Sequence, residues 1–236
     1  MAGTLDRTLY VLLAALIATL PFEFRSFPIL SNLQWIFVAI AIVSIPVLVR
    51  ERGRLLRDRL IIAAFGFVLT QWITALAAPE FTSNAINGAI RATAGFILLS
   101  ATLCVRDPCR FFPIWTWTAT LAGLYGLLDY AGFGIRGLFH ETDFFVGPIL
   151  RLSGSFEYPN TAAAFFGLSL PIVWTGTKSR WLRIVESLLV SLAMSLTYSR
   201  GAAIAVVELA PRLDLVLGQL AGLDRLGALT SPPMHP

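Results

Sequence analysis

Apolar residues run through this chain in blocks, and polar residues are largely confined to the gaps between them. Seven blocks can be placed, at residues 8–22, 33–49, 60–78, 89–105, 112–131, 161–176 and 182–197. Each can form a helix that crosses, or nearly crosses, a hydrocarbon core of roughly 30 Å. An eighth begins at 202–207 and is then interrupted by Glu208, Arg212, Asp214, Asp224 and Arg225. The pattern predicts an all-α, polytopic integral membrane protein with about seven to eight transmembrane helices. Residues 1–207 would form the membrane domain and 208–236 an atypical tail. Leucines between Leu209 and Leu229 recur on one helical face of that tail. It therefore reads as an interfacial amphipathic helix or as the product of a disrupted reading frame.

Composition agrees with the pattern. Hydrophobic residues make up 56% of the 236 and charged residues 14%, too little charge to cover a water-soluble domain of this size. The distribution of charge gives the chain a direction. With the N-terminus inside, the inner segments hold Arg7; Arg50, Arg52, Arg54, Arg57 and Arg59; Arg106 and Arg110; and Lys178, Arg180 and Arg183. The outer segments hold only Arg25, Arg91, Arg136, Arg151 and Arg200. Basic residues resist translocation, so the bias predicts a cytoplasmic N-terminus. The arginine loop at 50–59 is short and lies between two spans, which argues against a nucleic-acid partner. Cys104 and Cys109 fall at the cytoplasmic end of the fourth span, where thiols stay reduced. Two cysteines without a nearby histidine are too few for a zinc site, and no metal is expected. The first apolar block lacks a small-x-small cleavage site and reads as a retained helix rather than a removed leader.

Candidate chemistry lies on the outer side. A loop at 132–160, rich in glycine and aromatics, predicts a partly embedded cap over a cavity. It ends in Arg151-Leu152-Ser153-Gly154-Ser155-Phe156-Glu157-Tyr158-Pro159-Asn160, answered one hairpin later by Thr197-Tyr198-Ser199-Arg200-Gly201. A guanidinium carries a permanent charge and donates two parallel hydrogen bonds to phosphate oxygens. Gly154 and Gly201 would let the backbone bend close to a ligand, and Ser153, Ser155 and Ser199 would offer hydroxyl donors. Pro159 can open a helix that Asn160 continues, turning the positive end of its dipole outward. Together these residues predict an anion site, with Arg91 as a third phosphate contact. The competing reading is that the arginines snorkel to headgroups or cap helix ends. Asp143 and Glu157 could hold the arginines in place. Asp129 and Glu186, inside spans five and seven, receive no role.

The two arginine motifs, in this order and spacing, resemble the O-antigen ligase and O-antigen polymerase superfamily over the first seven spans. The resemblance implies a GT-C-like helical fold in the inner membrane of a bacterium. It implies a glycosyltransferase that moves a glycan from undecaprenyl pyrophosphate to a lipid A-core sugar hydroxyl on the periplasmic face. A polymerase would use another lipid-linked glycan as acceptor instead. Neither reaction needs a cofactor. Arg151 and Arg200 would bind the pyrophosphate and stabilise it as leaving group, with Ser153, Gly154, Asn160, Ser199 and Arg91 as further contacts. Members of the family are longer and carry, in a later periplasmic loop, a histidine that deprotonates the acceptor. Here only His140 and His235 are present. His140 precedes the first motif and does not match that position, so the chain is expected to be C-terminally truncated, holding the donor grip without acceptor activation. A transporter of polyprenyl-linked sugars, or a non-catalytic fragment, would use the same arginines without a base. Paired interrupted spans in two related halves, expected of a transporter, are not visible.

Overall fold

The computed structural model describes residues 2–23, 31–78, 82–105, 107–134, 139, 143–177, 179–201 and 204. Each of the seven apolar blocks coincides with a helix: α1 Ala2–Thr19, α2 Asn32–Leu55, α3 Arg59–Leu76, α4 Thr82–Leu103, α5 Phe111–Leu128, α6 Pro159–Gly176 and α7 Arg180–Leu196. Local chemistry sets several of the ends. Ser31 and Gln34 form a reciprocal capping box at the start of α2. Asp58 accepts from the Leu60 amide and starts α3 only three residues after α2 ends. Pro159 opens α6, where its missing N–H is no loss.

Among the described residues three helices, α2, α3 and α4, are long and apolar enough to cross a membrane. Their outward faces agree with this. Ile42, Ile45 and Val49 on α2, and Ile62, Phe65, Phe67, Leu69 and Ile73 on α3, are all exposed, a continuous apolar surface that water would penalise. The expectation of seven to eight spans is thus met by three helices on length and composition. The predicted eighth span, apart from Ile204, and the tail beyond it lie outside the described residues, as do His140, His235 and the boundary expected at residue 207.

Two further expectations are corrected. The chain is mostly helical but not all-α, because the 132–160 loop contains a hairpin of β1 Phe144–Val146 and β2 Ile149–Arg151. Phe144 pairs with Arg151, Phe145 with Leu150 and Val146 with Ile149. Gly147, at φ +59°, and Pro148 make a two-residue turn with glycine first, which suits the twist of antiparallel strands. Arg91 does not begin a span: α4 starts at Thr82, so Arg91 is an exposed residue well inside a helix.

The chain divides into two compact units, residues 1–114 and 115–236. In the first, Leu9, Leu13 and Leu16 of α1 form a core with Ile40 and Val47 of α2, Ala101 of α4 and Phe111. Trp72 on α3 donates to the Thr93 hydroxyl on α4 at 2.9 Å. In the second unit glycines bring α5 close to its neighbours. A Cβ on Gly123 would come within 2.5 Å of Leu189 on α7, and one on Gly126 would press on Leu152 at 3.1 Å. Close approach of apolar helices through small residues is a common device where lipid surrounds the bundle.

Candidate anion site

The final turn of α7 leaves carbonyls that the helix itself cannot satisfy. The hairpin supplies the donors. Leu152 N–H donates to the Leu196 carbonyl at 2.9 Å, and Arg151 Nε donates to the Thr197 carbonyl at 2.8 Å. Arg151 Nη2 donates at 2.8 Å to Oδ1 of Asn160, in the first turn of α6. One guanidinium therefore ties the end of β2 to the start of α6 and the end of α7. The two arginine motifs, far apart in sequence, meet at one end of this unit. Of the two readings of Arg151 open from sequence, anion ligand or helix cap, the second is realised for part of the side chain.

The remainder of Arg151 is still usable. Guanidinium has five N–H donors, and two are engaged. Both acceptors are neutral oxygens. The end of the guanidinium formed by Nη1 and Nη2 retains three N–H groups. Arg200 lies three residues beyond the carbonyl that Arg151 grips, is exposed, and engages no acceptor among the described residues. Pro159 has no N–H, and Thr161 and Ala162 both donate to the Tyr158 carbonyl. Asn160 is thus left as the amide at the positive end of α6.

The residues between Arg151 and Glu157 point the other way. Leu152, Ser153, Gly154, Ser155 and Phe156 are all buried. Phe156 packs among Phe165 and Phe166 of α6, with ring centroids 5.2 and 5.9 Å away. Gly154 adopts φ +59°, and a Cβ there would sit 3.0 Å from the Gly126 Cα. Its freedom is used to approach α5. Ser153 is enclosed, and the Ser155 hydroxyl is buried without a partner. Of the residues read as ligand contacts, Arg151, Asn160, Ser199 and Arg200 gather at this end of the unit, while Ser153 and Gly154 form its support. Arg91 belongs to the first unit.

The bend of the second motif also lies elsewhere than expected. Gly201 has open space where a Cβ would be. Tyr198 carries the left-handed turn, at φ +52°, a conformation costly for an aromatic residue. Thr197, fully buried, steadies it: its hydroxyl donates to the Met194 carbonyl and accepts from the Ser199 amide. No residue-type signal marks Tyr198 in the sequence. Glu186 accepts from the Thr177 hydroxyl at the α6–α7 turn, toward the other end of α7, and Arg183 donates to the Thr177 carbonyl. Asp129 lies in a π-helical turn, Asp129–Phe133, with its carboxylate against Gly134.

The chain was compared with protein-family models, with characterised proteins and with solved structures, and it matches none of them.

Proposed function

We propose that the second unit grips the pyrophosphate of a polyprenyl-linked glycan at the outer face of a bacterial inner membrane, within a multi-pass protein whose N-terminus is cytoplasmic. On this reading the activity is that of the O-antigen ligases it resembles in sequence, with a GT-C-like arrangement of helices. A glycan leaves undecaprenyl pyrophosphate for a sugar hydroxyl of lipid A-core, or of a second lipid-linked glycan in a polymerase. Arg200 is the open cation, and Arg151 offers the free end of a guanidinium already held in place. The observation carrying the reading is that Arg151 joins both motifs through neutral oxygens. Those two bonds orient the guanidinium without themselves cancelling its charge, as a group that must meet a diphosphate requires. Asn160 and Ser199 add an amide and a hydroxyl beside it.

Binding is the direct test. The full chain in detergent, titrated with undecaprenyl pyrophosphate and followed by native mass spectrometry, should bind it more tightly than undecaprenol. Arg200→Ala should weaken that binding roughly tenfold to a hundredfold, the worth of one or two charge-assisted hydrogen bonds, with little change in melting temperature. Equal affinity of the variant and the parent chain would remove Arg200 from the site. Reporter fusions after Ile149 and after Leu196 should both report the periplasm. Opposite readouts would rule out a shared ligand.

A further inference from the structure

At the arginine-bearing end of the first unit, the start of α1, the end of α2 and the end of α4 converge. Arg50 of α2 meets Asp6 of α1 at 2.7 Å, and Arg54 donates to the Leu103 carbonyl at the end of α4. Beside these contacts, between the start of α1 and the segment that follows α4, opens a cleft of about 450 Å³, with Leu9, Tyr10 and Val105 as apolar lining and Asp6, Arg7, Asp107 and Arg110 as its charged groups. That volume falls in the range of small-molecule sites, roughly 300–1,000 Å³.

The charged groups of the lining are not all paired with one another. Asp6 is taken by Arg50, and Asp107 by Arg110 at 2.9 Å. Arg7 is exposed and engages no acceptor among the described residues. Arg54 spends its hydrogen bond on a neutral carbonyl and keeps its charge. The lining holds two carboxylates and two guanidinia, and Arg7 is the lining cation left without a carboxylate partner among the described residues, over an apolar floor. The cleft also lies where apolar helices give way to arginines: the apolar run of α2 ends at Val49 and the charged run starts at Arg50. A ligand suited to it has a negative head, an apolar body and a place at the membrane boundary. Basic pockets between transmembrane helices select anionic lipids on these grounds.

We propose that this cleft binds an anionic phospholipid, with its phosphate on Arg7 and the upper part of a chain along Leu9, Tyr10 and Val105. Free phosphate would satisfy Arg7 but leave the apolar lining wet.

The full chain in detergent, incubated with equal amounts of phosphatidylglycerol and phosphatidylcholine, should retain the anionic lipid selectively in native mass spectrometry. Arg7→Gln should lower that selectivity roughly fivefold, the contribution of one arginine near a charged bilayer surface. Arg180→Gln, in the other unit and outside the proposed anion site, should leave it unchanged. A second readout keeps Arg7 intact. Cys104 lines the cleft, and burial pushes its thiol up, so maleimide labelling is run at a fixed alkaline pH on a Cys109→Ala background. Phosphatidylglycerol should slow labelling several-fold, and phosphatidylcholine or inorganic phosphate should not. Equal retention of the two lipids, selectivity lost with Arg180→Gln instead of Arg7→Gln, or equal protection by inorganic phosphate would each overturn the proposal.

Discussion

Two arginines of the first unit and two of the second are held by different chemistry. In the first unit Arg50 meets the carboxylates of Asp6 and Glu51, and Arg110 meets that of Asp107. In the second, Arg151 donates to the Thr197 carbonyl and the Asn160 amide oxygen, and Arg183 to the Thr177 carbonyl. A carboxylate cancels the positive charge it holds. A carbonyl fixes the geometry and leaves the charge in place. The density of arginines along the chain is therefore a poor guide to anion binding. The five arginines of the 50–59 loop attract more notice in the sequence than Arg151, yet Arg151 is the better ordered for a ligand.

The largest effect that would test the support of the second unit is at Gly154. Gly154→Ala places a Cβ at φ +59° and 3.0 Å from the Gly126 Cα. The left-handed backbone costs about 1–2 kcal/mol and the forced contact about 1–3 kcal/mol more. Gly201→Ala enters open space and should stay within about 0.5 kcal/mol of the parent. Denaturation in detergent, followed by circular dichroism, should separate the two variants clearly. Similar midpoints would mean that the approach of the first motif to α5 does not support the unit.

Next in size is the comparison of the arginines themselves. Arg151→Ala strips a donor from the carbonyl of fully buried Thr197 and should cost about 1–3 kcal/mol. Arg50→Ala removes a solvent-exposed cluster of ion pairs, which seldom registers in a melt. Arg151→Lys should fall between Arg151→Ala and the parent, because an ammonium cannot reach two acceptors with the geometry of the fork. If Arg50→Ala unfolds the chain as readily as Arg151→Ala, the contrast between carboxylate and carbonyl partners does not extend to stability.

Much of the helical layout was legible because apolar periodicity reports burial in lipid or protein directly. Boundaries were less so. Thr82, Ser83, Asn84 and Asn87 look like a loop, yet they extend α4 at its start, since a helix tolerates a polar first turn facing water. The hairpin was hidden because three-residue strands are too short to show alternation. At the site, the arginines and Asn160 could be chosen from what their side chains donate. The burial of Ser153, Gly154 and Ser155 was not legible, because donor capacity says nothing about direction, and their placement follows from Gly126 on α5. That constraint is a tertiary one, without a local signature.

The smallest expected effect concerns Tyr198, which links the two roles of this end of the second unit. An aromatic residue held at φ +52° stores backbone strain, and such strain tends to persist where a site depends on it. Tyr198→Gly removes the steric conflict but frees the unfolded chain, so the net gain should be only about 0.5–1 kcal/mol. The side chain is 43% exposed, so little packing is lost. If the turn serves only to end α7, the variant should melt slightly higher and bind undecaprenyl pyrophosphate as the parent does. The anion-site reading expects more. Tyr198 sits between the carbonyl anchoring Arg151 and Arg200, which has no partner among the described residues, and a glycine there lets Arg200 wander. Affinity should then fall a few-fold while stability rises. Opposite movement of the two quantities in one variant would be difficult to attribute to damaged folding, and unchanged affinity with raised stability would assign Tyr198 to the helix end alone.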